Sequence, residues 1–259
     1  MNADYAICAL CPRLCRHVCP VAVATGREAA TPTAMMSIPL LAAQVPELSL
    51  AGTSLCNGCG ACTRHCKNHQ PVAERLSAWR AEQGARPTAE PLRPVEGSEV
   101  VVAILTDDRD WRSEIGRGPM AALRTTDFLG HEAWRAGNTE VLPALTRHLS
   151  GRRVLCLHGD VAELLQAAGI PVEWLELPEK ASFLTCFEGA GTGPGQLACC
   201  GRREGFAKRE PDAAHAVARR NVELWEGAPK SCRDQGCADW LRAAGANIAG
   251  PLDRRGGAL

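Results

Sequence analysis

Four cysteines within eleven residues, Cys56, Cys59, Cys62 and Cys66, constrain this chain more than any other stretch of it. Thiols so close in sequence seldom meet the geometric demands of two disulfide bridges. Their spacing is Cys-x2-Cys-x2-Cys-x3-Cys. That is the ligand run of a cubane iron–sulfur cluster, in which the fourth cysteine often serves a neighbouring cluster. Tetrahedral zinc more usually draws its ligand pairs from two separated knuckles. Gly58 and Gly60 let the backbone wrap a cluster closely and turn amide N–H groups toward sulfur.

A second run, Cys8, Cys11, Cys15 and Cys19, precedes the first, with its middle gap one residue longer. Pro12 suits the first turn of a short helix and Pro20 its end, so Cys11, Cys15 and Cys19 are expected along one helical face. If ligands are exchanged as in two-cluster ferredoxins, Cys8, Cys11, Cys15 and Cys66 bind one [4Fe-4S] cluster. Cys56, Cys59, Cys62 and Cys19 then bind the other. Between the runs a helix is expected from a Thr31 or Thr33 cap through Met35, Met36, Leu40 and Leu41, bent at Pro39. After Cys66, Pro71 can start a helix with Val72, Leu76 and Trp79 on one stripe, ending at Gly84. The methionines and Trp79 read as packing, and His17 and His65 as solvated imidazoles between ligands.

Fourteen cysteines in 259 residues, clustered rather than spread, read as metal ligands in a reducing compartment. Residues 1–5 lack the basic region and apolar core of a signal peptide. The longest apolar run, 35–45, is interrupted by Pro39 and too short to span a bilayer. Lys plus Arg balance Asp plus Glu at 29 each with no basic block, which argues against a nucleic-acid partner. The expectation is a cytoplasmic protein with no direct membrane insertion.

Residues 84–98 carry three prolines without apolar period and read as a semi-extended linker between a module at 1–83 and a domain at 99–259. Strands are expected at 100–105, 153–157, 172–177 and 182–187. An amphipathic helix carrying Val161, Leu164, Leu165 and Ala168 stops at Gly169, and a long helix runs from Pro211 to Gly227. Alternating strands and helices argue an α/β domain with a largely parallel sheet, and α+β for the whole chain. Gly189, Gly191, Gly193 and Gly195 miss the dinucleotide fingerprint and read as a flexible cover. Asp107, Asp108, Arg109 and Asp110 read as a solvated turn, and Cys156 as a core thiol.

The chemistry of this domain gathers in its last third, in Cys186, Cys199, Cys200, Cys232 and Cys237. Adjacent cysteines cannot easily bond to each other, so Cys199 and Cys200 are expected to face one metal centre, with Gly201 relieving the turn beside it. Arg202 and Arg203 could offset the charge of such a centre, attract an anionic partner, or be surface charge.

The first module resembles the α-helical ferredoxin module of succinate dehydrogenase iron–sulfur subunits and heterodisulfide reductase small subunits. Cys186…Cys199-Cys200-Gly201…Cys232…Cys237 resembles the cysteine-rich CCG domain of heterodisulfide reductase and glycolate oxidase iron–sulfur subunits. The closing pair here is Cys-x4-Cys where that family has Cys-x2-Cys. The resemblance implies a third iron–sulfur centre, cubane or non-cubane [4Fe-4S], held by Cys186, Cys199, Cys200, Cys232 and Cys237. It also implies an electron-transfer subunit of a multi-subunit oxidoreductase. Its neighbours would be a flavoprotein dehydrogenase or an electron-transfer flavoprotein. The alternatives are a catalytic subunit reducing a heterodisulfide or quinone at the third centre, and a zinc-stapled interaction module. No flavin or nicotinamide fingerprint and no catalytic residue is legible.

Overall fold

The computed structural model describes residues 3–12, 14–42, 44–45, 50–83, 89, 91–92, 99–104, 121–125, 128–174, 197–227 and 230–253. Cys186, the strand expected at 182–187, the glycine-rich loop, the 107–110 turn and most of the expected linker lie outside them. The described chain is mixed, with helices outweighing short strands, in keeping with the α+β expectation.

The N-terminal half is helical. Helix α1 is Ala3–Ala9, and a 3-10 turn, Leu14–His17, separates it from α2, Pro20–Thr25. Pro20 therefore opens a helix rather than closing one, and Cys11, Cys15 and Cys19 do not share an α-helical face. A proline's fixed φ and missing N–H suit the first turn of a helix as well as the position after its end. Helix α3, Pro32–Leu41, contains Pro39 and is capped by Thr31, whose Oγ1 accepts from the Ala34 N–H at 3.3 Å. Short α4, Ala61–His65, follows Gly60 at φ 69°. Helix α5, Val72–Glu82, buries Val72, Leu76 and Trp79, the expected stripe.

The second half opens with four parallel strands in the order β2-β1-β3-β4: β1 Glu99–Ile104, β2 Ala121–Thr125, β3 Arg153–Cys156 and β4 Val172–Trp174. Val154, Leu155 and Cys156 are all buried, as the continuous apolar run of a covered parallel strand requires. Helices α6, His131–Arg135, α7, Val141–Leu149, and α8, Gly159–Ala167, pack Leu145, Leu149, Val161, Leu164 and Leu165 into one core with Leu123 and Val154.

Short α9, Phe206–Arg209, leads into α10, Pro211–Trp225, the long helix expected there; it ends at Glu226, φ 50°. Helix α11, Gln235–Ala243, crosses between two-residue parallel strands, β5 Lys230–Ser231 and β6 Ile248–Ala249. These C-terminal elements pack on the N-terminal helices. Val21, Met35, Met36 and Leu76 share a buried cluster with Phe206, Ala213, Ala214 and Val217, and α10 lies against α2. Fully buried side chains of this size each contribute about 1.5–3 kcal/mol. The buried cores thus run across the 84–98 boundary, and Ala89 and Leu92 pack on the sheet-side core. No helix among the described residues is long and apolar enough to cross a membrane.

Candidate metal centres

None of the thirteen described cysteines is in a disulfide. Eight of them sort into two quartets, each drawing on both cysteine runs. Cys19, brought in at the start of α2, lines one small cavity with Cys56, Cys59 and Cys62. These four are nearly enclosed, at 6–9% exposure. Burial, followed by the charges of Cys59, Cys56, Cys19 and last Cys15, holds the Cys62 thiol well above its ordinary range. Burial also pushes Cys19 up to about 11.

The second quartet is half-exposed. Burial pushes the Cys8 thiol up to about 11, with the neighbouring charges of Cys66, Cys15 and Cys11 adding to it and Arg75 opposing. Cys15 is likewise raised by burial and by Cys11, against a hydrogen bond from Thr33. Cys66 thus stands with Cys8 and Cys15, away from its own run. His17 and His65 are exposed.

The C-terminal cysteines form a third group. Asn221, on the buried face of α10, fixes the irregular segment that carries two of them. Its Oδ1 accepts from the Leu197 N–H at 3.0 Å, and its Nδ2 donates to the Cys199 carbonyl at 3.1 Å. Cys232 extends β5, donating its N–H to the Ala249 carbonyl at 2.9 Å. Cys237 enters on the first turn of α11, whose N-cap Asp234 accepts from the Cys237 N–H at 2.7 Å. The sulfurs of Cys200 and Cys237 stand 3.2 Å apart, well beyond the roughly 2.05 Å of a disulfide. Cys199 and Cys232 are fully buried, and each accepts a backbone N–H at sulfur, from Gly201 at 3.3 Å and Asp234 at 3.4 Å. Cys156 stands outside this group, donating to the His158 carbonyl at 3.1 Å, and burial pushes its thiol up to about 12.

At φ 103°, a Cβ at Gly201 would lie 2.5 Å from the Ala214 carbonyl oxygen, so α10 is a neighbour that requires glycine here. Arg203 is not surface charge. It is buried and paired with Asp160 at 3.1 Å and with Glu163. Arg202 lies 5.1 Å from the Phe128 ring centre.

A polar network that the sequence reading did not find joins these parts. His131 Nε2 lies 2.9 Å from Glu163, and Arg135 reaches Glu163 at 3.3 Å, Glu74 of α5 at 3.1 Å and the Gly58 carbonyl at 3.3 Å. Arg209 pairs with Glu132 and donates to the Cys56 carbonyl at 3.4 Å. Two arginines of the C-terminal half therefore hold the loop bearing Cys56 and Cys59. Burial alone would raise the Glu163 carboxyl, but the His131 hydrogen bond and the charges of Arg203, His131 and Arg135 outweigh it and bring it to about 2. Asp234, buried, is similarly held at about 2 against burial by His158, Arg202 and the Gly159 N–H. One signal for these residues lies unread in the sequence, Asp234 as the N-cap residue before α11.

Among the described residues, His131, Asp160 and Glu163 are the group whose ligand atoms lie within 4.8 Å of one another. Arg135 and Arg203 already neutralise those carboxylates. Any metal or cluster bound by the quartets would displace the protons that burial holds on Cys8, Cys15, Cys19 and Cys62. Cys59 and Ala61 also belong to the same buried cluster as Cys199, Cys200, Cys232 and Cys237, so the enclosed quartet adjoins the third group.

No protein-family model, curated protein or solved structure matches the chain.

Proposed function

We propose that this chain is an iron–sulfur electron-transfer subunit of a multi-subunit oxidoreductase. Cys8, Cys11, Cys15 and Cys66 would hold one [4Fe-4S] cluster, and Cys19, Cys56, Cys59 and Cys62 a second. Cys199, Cys200, Cys232 and Cys237, with Cys186, would hold a third iron–sulfur centre. Such clusters supply one-electron redox chemistry. The chain's own residues cage them, exclude water and donate N–H groups to sulfur. A flavoprotein would be the natural donor or acceptor, and the resemblance to heterodisulfide reductase and glycolate oxidase subunits points the same way.

The observation that carries this reading is the exchange of Cys19 and Cys66 between the two runs. Supporting it, the enclosed quartet and the third group share one buried cluster, which suits a relay, and Cys199 and Cys232 are fully buried rather than open to a substrate. Iron, zinc and acid-labile sulfide analysis of anaerobically purified protein tests it. Eight or more irons with matching sulfide, roughly four per cluster, are expected; zinc without sulfide would overturn it.

A further inference from the structure

Asn57 sits between two cysteines of the enclosed quartet and is 3% exposed. Its Oδ1 accepts the Cys59 backbone N–H at 3.3 Å. That bond fixes which end of the amide is which, because the reversed amide would set N–H against N–H. Nδ2 is then the free arm. It is buried without a hydrogen-bond partner, and Asn57 lines the same cavity as Cys19, Cys56, Cys59 and Cys62.

A buried donor left unsatisfied costs about 1–3 kcal/mol. Met35, Val72 and Ala73, which also line the cavity, offer it no polar side chain, and the four cysteines offer sulfur. The acceptor that best fits is therefore a negatively charged sulfur, thiolate or sulfide, of whatever the quartet holds. Resting on the function proposed above, we infer that Asn57 Nδ2 donates a hydrogen bond to a sulfur of the centre held by Cys19, Cys56, Cys59 and Cys62. Asn57 is thus a positioning residue that raises the reduction potential of that centre. Reduction adds negative charge to the centre, so an N–H donor favours the reduced state over the oxidised one.

The test is a potentiometric titration of anaerobically purified holoprotein, followed by electron paramagnetic resonance, on wild type, Asn57→Ala and Asn57→Asp. In Asn57→Asp an acceptor for the Cys59 N–H is kept while the donor becomes a carboxylate. One midpoint should fall by about tenfold in the reduction equilibrium in Asn57→Ala, about 59 mV for one electron, and further in Asn57→Asp. The other centres should hold their midpoints. Full iron and sulfide content with every midpoint unchanged would overturn the role of Asn57 while leaving the proposed function standing. Zinc without sulfide in the wild type would instead remove the proposed function itself. Should either variant fail to load, the wild type carries the decision: protein labelled with 15N in its asparagine side chains should show electron–nuclear coupling to one such nitrogen in a reduced centre, and no coupling would refute the inference.

Discussion

Cys19 and Cys66 each stand with the cysteine run to which they do not belong, and single substitutions read that out. Cys66→Ser should cost iron from the half-exposed quartet and spare the signal of the enclosed one, whereas Cys19→Ser should do the reverse. Iron content with low-temperature electron paramagnetic resonance distinguishes this from ligation within each run, which predicts the opposite pairing. Glu163 offers a test independent of any metal. Its carboxyl falls from an ordinary 4.5 to about 2 on folding, so it stabilises the fold fully above its unfolded value and loses that contribution as pH falls from about 4.5 toward 2. The gain at neutral pH is about 1–3 kcal/mol, allowing for partial exposure. Urea unfolding of metal-free wild type and Glu163→Gln should therefore differ at pH 7 and converge toward pH 2–3; a constant difference would contradict the assignment.

Among the elements, Gly201 is the most exacting position. Gly201→Ala puts a methyl against the Ala214 carbonyl in a left-handed conformation, and should destabilise by about 3 kcal/mol in thermal or denaturant unfolding. Wild-type stability in that variant would mean α10 can withdraw. Where local signals were strong, the elements were legible beforehand. Thr31 caps α3, Val72, Leu76 and Trp79 stripe α5, residues 153–156 form a strand with Val154, Leu155 and Cys156 buried, and Pro211 opens α10. Pro20 was misread because a proline after a cysteine marks either end of a helix. Strand β2 and the two-residue β5 and β6 were missed, since their pairing is set by partners distant in sequence rather than by their own pattern. The cysteine groupings were suggested by spacing. The arginines that hold the Cys56 loop were not, because Arg135, Arg209, Glu74 and Glu163 carry no mark of being neighbours until the chain is folded.

At the scale of the molecule the two quartets differ in access. In metal-free protein under limiting N-ethylmaleimide, Cys8, Cys11, Cys15 and Cys66 should label before Cys19, Cys56, Cys59 and Cys62, with peptide mass spectrometry as the readout. Simultaneous labelling would mean that the enclosed quartet is not enclosed without metal. Arg135, clamped between α5, the Gly58 carbonyl and α8, ties the halves together, so Arg135→Ala should cost about 3 kcal/mol and accelerate proteolysis between them. The interleaving of the cysteine runs also bears on how the protein is made. As the chain emerges from the ribosome, Cys8, Cys11 and Cys15 appear long before Cys66, and Cys19 long before Cys56, so the enclosed quartet is complete once residue 62 has cleared the exit tunnel and the half-exposed one once residue 66 has. The two sites are therefore completed almost together, and under the proposed function a nascent chain that stalls before residue 62 has no finished site for a cluster.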